Sequence, residues 1–300
     1  MSPEQFGIDS ITFSGSLKAK LDASRAAGFT QVMISAKDLS SHADGVNAAI
    51  AEVKASGLRV TGFQFLSDYE GLSGPLGEYK LEIAKQMLRM AAALGAPFLL
   101  CCSSSSSHAT GDFEQCAADL RKLAMLAVPL GIKVGYEALS WGVHNNVISQ
   151  AWGLVEHVDS PNLGLVVDSF HWLATDAAPD ALDVVDPKKL FFVQLSDFMW
   201  RSTPTFDERR ETARHMRVFP GEGAHSDQLA QLVRQLSAMG YRGDYSFEVF
   251  NDDYAKMPLD FVNERAMRSV NWCLERVARQ NLPVRRVVRS SAPDLLALHT

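Results

Sequence analysis

The chain has 300 residues, 47% of them apolar and 21% charged, and a formal net charge of −6. That is the balance of a globular protein large enough to bury a core without disulfide or metal staples. It excludes a nucleic-acid binder built on clustered Lys and Arg, and no apolar run reaches the roughly 18 residues of a membrane-spanning helix.

Met1–Asp9 is polar and lacks the apolar core of a signal peptide. Cys101, Cys102, Cys116 and Cys273 form no CxxC pair, so the expectation is reduced thiols in the cytoplasm.

Short β-rich runs then alternate with amphipathic stretches. The runs are Ser10–Phe13, Gln31–Ser35, Arg59–Phe65, Pro97–Cys102, Lys133–Glu137, Leu163–Asp168, Leu190–Leu195 and Tyr245–Phe250. Several are apolar without alternation, as parallel strands covered on both faces require. Helical patterns over Lys18–Ala27, Tyr79–Leu94, Ala117–Leu130 and Gln228–Met239 each stop at a glycine, followed within a few residues by a strand. Eight such units imply right-handed crossovers and a single (β/α)8 barrel over residues 1–280, followed by a tail at 281–300. The tail is basic and then apolar; it either packs on a neighbouring subunit or stays unstructured, and a homo-oligomer is left open. The serine run Ser103–Ser107 reads as a flexible loop. The polar segment Phe198–Gly223 follows the seventh strand, at the barrel face that builds active sites, and reads as a lid.

Four successive strands end in a residue able to ligate a metal: Glu137, Asp168, Gln194 and Glu248. One buried carboxylate alone would read as a structural ion pair. Four converging at one barrel mouth form a hard oxygen set that suits one divalent ion, Mg²⁺ or Mn²⁺ first and Co²⁺ next. His171, three residues past Asp168, is placed to bind substrate or orient a ligand.

This pattern resembles the xylose-isomerase-like barrel superfamily. Within it, the stretches FQFLSDYEGL (63–72), YEALSWGVHNN (136–146), GLVVDSFHWLA (164–174), VQLSDF (193–198), RHMRVFPGEG (214–223) and SFEVFNDDY (246–254) resemble the bacterial 3-dehydroshikimate dehydratase branch. The resemblance implies loss of water from 3-dehydroshikimate to give protocatechuate, a step of aromatic catabolism. The small-molecule substrate would meet the metal and an acid–base group, with His144, Glu137 and Glu248 as the catalytic candidates. Arg217, with Arg214 or His215, would bind the substrate carboxylate, and Trp141 and Phe250 would wall its ring. Ser67 stands where the branch is expected to carry an arginine, which leaves the particular substrate open. A ketose or sugar-phosphate isomerase or epimerase, and a non-catalytic metal and sugar-acid binding protein, are the alternatives on the same scaffold.

Overall fold

A computed structural model describes residues 1–278; the tail at 281–300 lies outside the described residues. The strands are β1 (Phe6–Asp9), β2 (Gln31–Ser35), β3 (Arg59–Leu66), β4 (Phe98–Cys102), β5 (Lys133–Glu137), β6 (Leu163–Asp168), β7 (Leu190–Leu195), β8 (Asp197–Phe198), β9 (Arg217–Val218) and β10 (Tyr245–Phe247). All but β8 and β9 close a parallel barrel in the order β1-β10-β7-β6-β5-β4-β3-β2. The expected eight-stranded barrel is therefore present.

The helices are α1 (Leu17–Ala26), α2 (Ala36–Ser40), α3 (Val46–Ala55), α4 (Gly74–Leu94), α5 (Phe113–Ala127), α6 (Ile148–Val158), α7 (Ser169–Ala174), α8 (Phe206–His215), α9 (Ser226–Ala238) and α10 (Leu259–Ala278). Helix α4 shows how the outer layer forms. It buries Ala84, Met87, Leu88, Ala91 and Leu94, one stripe at helical spacing, and ends at Gly95, whose φ of 77° turns the chain into β4. Among the described residues no helix is long and apolar enough to cross a membrane.

The first strand corrects the sequence reading. Ser10–Thr12 is a 3₁₀ turn, and Phe6–Asp9 pairs with β10 and β2. Phe6 and Ile8 are buried on the helix side, a two-residue alternation interrupted by Gly7 and too short to stand out in a polar terminus.

The inside of the barrel is a separate small cluster of Met33, Phe98, Leu100, Cys102, Val166 and Phe192. The Phe98 ring fits because the strands flanking β4 carry glycine. A Cβ on Gly62 would lie 2.7 Å from Phe98 Cζ, and one on Gly135 would lie 2.6 Å from Val166 Cγ2. With a period of two, the next inward position beyond Gly7, Gly62, Gly135, Val166, Phe192 and Ser246 is Asp9, Gln64, Glu137, Asp168, Gln194 and Glu248. The apolar plug therefore gives way to a polar layer at the carboxyl ends of the strands.

Candidate active site and metal centre

Glu137, Asp168, Gln194 and Glu248 are all buried in that layer, and Asp168 and Gln194 are register partners on β6 and β7. Glu137, Asp168 and His171 bring ligand-type atoms within 4.8 Å of one another. Burial pushes the Glu137 carboxyl up to about 8, with the Asp168 charge adding to it. Burial likewise raises Glu248 well above the usual carboxylate range, against the pull of Arg217. Several acids confined together in low dielectric cannot all hold charge without a cation.

Part of that cation is Arg217. It is buried, and its Nη1 donates to Asp168 Oδ2 at 2.6 Å and to Glu248 Oε2 at 3.1 Å. Its guanidinium lies over the Phe170 and Phe250 rings, 4.6 and 5.3 Å from their centroids. Arg217 lines the cavity as well, but its Nη1 is engaged by the protein's own acids.

The remaining oxygens decide whether a divalent ion fits. Cys102 Sγ donates to Glu137 Oε2 at 3.2 Å, whereas Glu137 Oε1 is buried and has no hydrogen-bond partner among the described residues. Gln194 Oε1 is also buried and without a partner there. An unsatisfied buried acceptor costs roughly 1–3 kcal/mol, and two in one strand-end layer of acids are what a hard divalent cation would satisfy. The donor set fits the metal.

His171 is held differently from a ligand. The Ser140 backbone N–H donates to His171 Nδ1 at 3.1 Å, which puts the lone pair on Nδ1 and the proton of the neutral ring on Nε2. Burial lowers this imidazole to about 3, so it stays neutral. Its Nε2–H faces Asp168 Oδ2 at 3.6 Å and Glu137 Oε1 at 3.9 Å. It is a donor, not a lone pair, that His171 offers to the site.

The acids open into a cavity of about 370 Å³, lined by Glu137, His171, Arg217 and Glu248 at its inner end. Trp141, Phe65 and Phe250 supply aromatic wall, and Ser67, Asp68 and Ser105 a polar edge. Arg214 is exposed at the same cavity and has no hydrogen-bond or ion-pair partner among the described residues. Helix α8 carries it, inside the expected lid, between the paired strands β8 and β9. His215 instead contacts Asp252 at 3.1 Å.

His144 does not reach this cavity. It is exposed, its Nε2 lies 3.0 Å from the Ala109 carbonyl oxygen, and its ring packs where a Cβ on Gly111 would be. The serine run is not a loose loop either. Ser103 and Ser104 are buried; Ser104 N donates to Glu70 Oε1 at 2.6 Å and Ser105 N to Asp68 Oδ1 at 2.7 Å. Sequence reasoning misses Asp9, Gln64, Glu70 and Cys102 in and around the polar layer. A carboxylate closing FGID, as others close KVGYE and LGLVVD, is the available signal for Asp9.

The model of the xylose isomerase-like TIM barrel family matches residues 21–276. The chain is 37% identical over 279 residues to a 3-dehydroshikimate dehydratase of Pseudomonas aeruginosa, an overlap of 93% of this chain and 43% of that one. It is 34% identical over 297 residues to the Pseudomonas putida enzyme of the same name, covering 98% of this chain and 46% of that one. The chain thus spans less than half the length of these relatives. A solved xylose isomerase-like TIM barrel/4-hydroxyphenylpyruvate dioxygenase fusion protein superposes with a TM-score of 0.84 at 33% identity, over 96% of this chain and 46% of the other. With a closed parallel barrel and a family match over most of its length, this chain belongs to the xylose isomerase-like TIM barrel family.

Proposed function

We propose that the chain is a metal-dependent lyase that removes water from 3-dehydroshikimate, or a related carboxylated cyclic hydroxyketone, the first giving protocatechuate. The observation that carries this reading is the pair of unpartnered buried oxygens, Glu137 Oε1 and Gln194 Oε1, beside a cavity that also holds an uncommitted arginine. Glu137, Asp168, Gln194 and Glu248 would hold the ion, Mg²⁺ or Mn²⁺ before Co²⁺ because every donor is oxygen. When bound, a divalent ion supplies polarisation of a ketone oxygen and keeps the neighbouring carboxylates ionised.

The protein's own groups do the rest. Arg214 pairs with the substrate carboxylate, and Trp141 and Phe250 flank the ring. His171 Nε2–H donates to a substrate oxygen. Glu248 Oε1, which has no hydrogen-bond partner among the described residues, takes the proton α to the ketone. The same carboxyl returns that proton to the β-hydroxyl as its C–O bond breaks, so one water leaves. The enone that remains enolises to the aromatic ring. Similarity to proteins named 3-dehydroshikimate dehydratase supports this choice of ring. Four free, buried cysteines agree with a reducing compartment such as the cytoplasm.

The test is to incubate Mn²⁺-loaded protein with 3-dehydroshikimate and follow ultraviolet absorbance. An aromatic product supports the lyase. Conversion of ketose epimers with no aromatic product would move the chain to the isomerases of its family.

A further inference from the structure

A carboxylate at the end of β1 has no role in the chemistry above. Asp9 is fully enclosed, as are Gln64 on β3, Gln194 on β7 and Ser246 on β10. Ser246 Oγ donates to Asp9 Oδ1 in a short hydrogen bond. Gln194 Nε2 donates to Asp9 Oδ2 at 2.7 Å and to Gln64 Oε1 at 2.9 Å.

A primary amide has two N–H donors and no more. Both of Gln194's are used across the barrel axis, on acceptors from two other strands. Its carbonyl oxygen, on the opposite side of the planar amide, is the buried atom without a partner. Turning the amide over would press Oε1 against a carboxylate that accepts at both oxygens. Gln64 alone would not prevent this, since its own amide can turn as well. The carboxylate of Asp9 does.

We infer that Asp9 is a positioning residue that, through Gln194 Nε2, holds the Gln194 carbonyl oxygen outward as a metal ligand. The inference rests on the metal-centre reading above. It also accounts for the amide at position 194: the side chain must offer an oxygen to the metal and donate protons inward, and a carboxylate cannot do both. Partners that orient a ligand in this way typically change metal affinity roughly 10–100-fold when lost.

The experiment measures Mn²⁺ affinity, by competition with a chromophoric chelator, for the wild type, Gln194→Glu, Asp9→Asn and the double variant. Gln194→Glu replaces the donating amide with a second buried acid facing Asp9, so the two repel or share one proton, the fixed outward oxygen is lost, and affinity falls roughly 10–100-fold. In the double variant the amide introduced at position 9 turns its nitrogen towards the carboxylate introduced at position 194 and keeps its carbonyl oxygen for Ser246. It should bind Mn²⁺ about tenfold more tightly than Gln194→Glu alone, a coupling that purely structural damage would not produce. Additive losses in proteins that bind Mn²⁺ overturn the inference alone. A wild type that binds no Mn²⁺ overturns the metal-centre reading and the inference with it.

Because Gln194→Glu can fail to fold, a second measurement uses the wild type and diamagnetic Mg²⁺. Both side-chain amide protons of Gln194 should stay protected from solvent exchange before and after Mg²⁺ is added. Rapid exchange of either proton in the Mg²⁺-loaded protein overturns the inference.

Discussion

Arg217 holds three roles at one residue. Its Nε is tied to the Ala213 carbonyl oxygen at 2.9 Å, its Nη1 bridges Asp168 and Glu248, and two aromatic rings cover its face. Removing one partner of a buried ion cluster strands the others, at a cost of about 3–5 kcal/mol. Arg217→Met should therefore destabilise the metal-free protein by that amount in urea unfolding, and Mn²⁺ should recover part of it. Arg214 predicts the opposite behaviour, because it is exposed and has no partner among the described residues. Arg214→Ala should leave stability unchanged and lower kcat/KM for a carboxylate substrate roughly 10–100-fold, through KM. Glu137 adds a pH dependence. Its folded value of about 8 lies above the ordinary 4.5, with burial the leading cause. A raised value gives stability that is full below the unfolded value and lost as pH rises through the folded one. Thermal unfolding of metal-free protein should thus fall in temperature between about pH 5 and about pH 9, and a divalent ion should flatten the profile.

Elements position these side chains through contacts that sequence patterns carry unevenly. The strand-end rule finds Glu137, Asp168, Gln194 and Glu248 because each lies at the end of a run of apolar residues. It overlooks Asp9 because SITF, four residues further on, reads as the first strand in place of FGID. His144 stands out for its distance from Glu137 along one loop, and that loop turns its ring towards Gly111, away from the acids. Serine composition suggests mobility after β4, but Glu70 and Asp68 come from the β3 end to take the loop's N–H groups. Such pairings link residues far apart in sequence and leave no local periodicity. Glu70 also accepts from Tyr136 Oη at 2.9 Å. Glu70→Leu would leave the Ser104 N–H and the Tyr136 hydroxyl buried without an acceptor. It should cost about 2–3 kcal/mol in denaturant unfolding.

At the scale of the whole molecule the fold is legible because eight βα units repeat, several through one glycine-ended pattern, and a closed parallel sheet is the arrangement that count supports. Closure makes residues far apart in the chain neighbours: Asp9 meets Ser246 and Gln194. Which arginine stays exposed at the cavity and which is buried against the acids is not legible, since both lie in one motif, RHMR, and the turn after α8 decides it. One divalent ion, held in this layer, is required for the proposed dehydration. The most direct test titrates metal-free protein with Mn²⁺ while recording both bound metal and protocatechuate formed from 3-dehydroshikimate. Turnover should rise in proportion to bound metal and level off at one ion per chain. Full turnover by chelator-stripped protein, or product formation unrelated to metal bound, would contradict the claim.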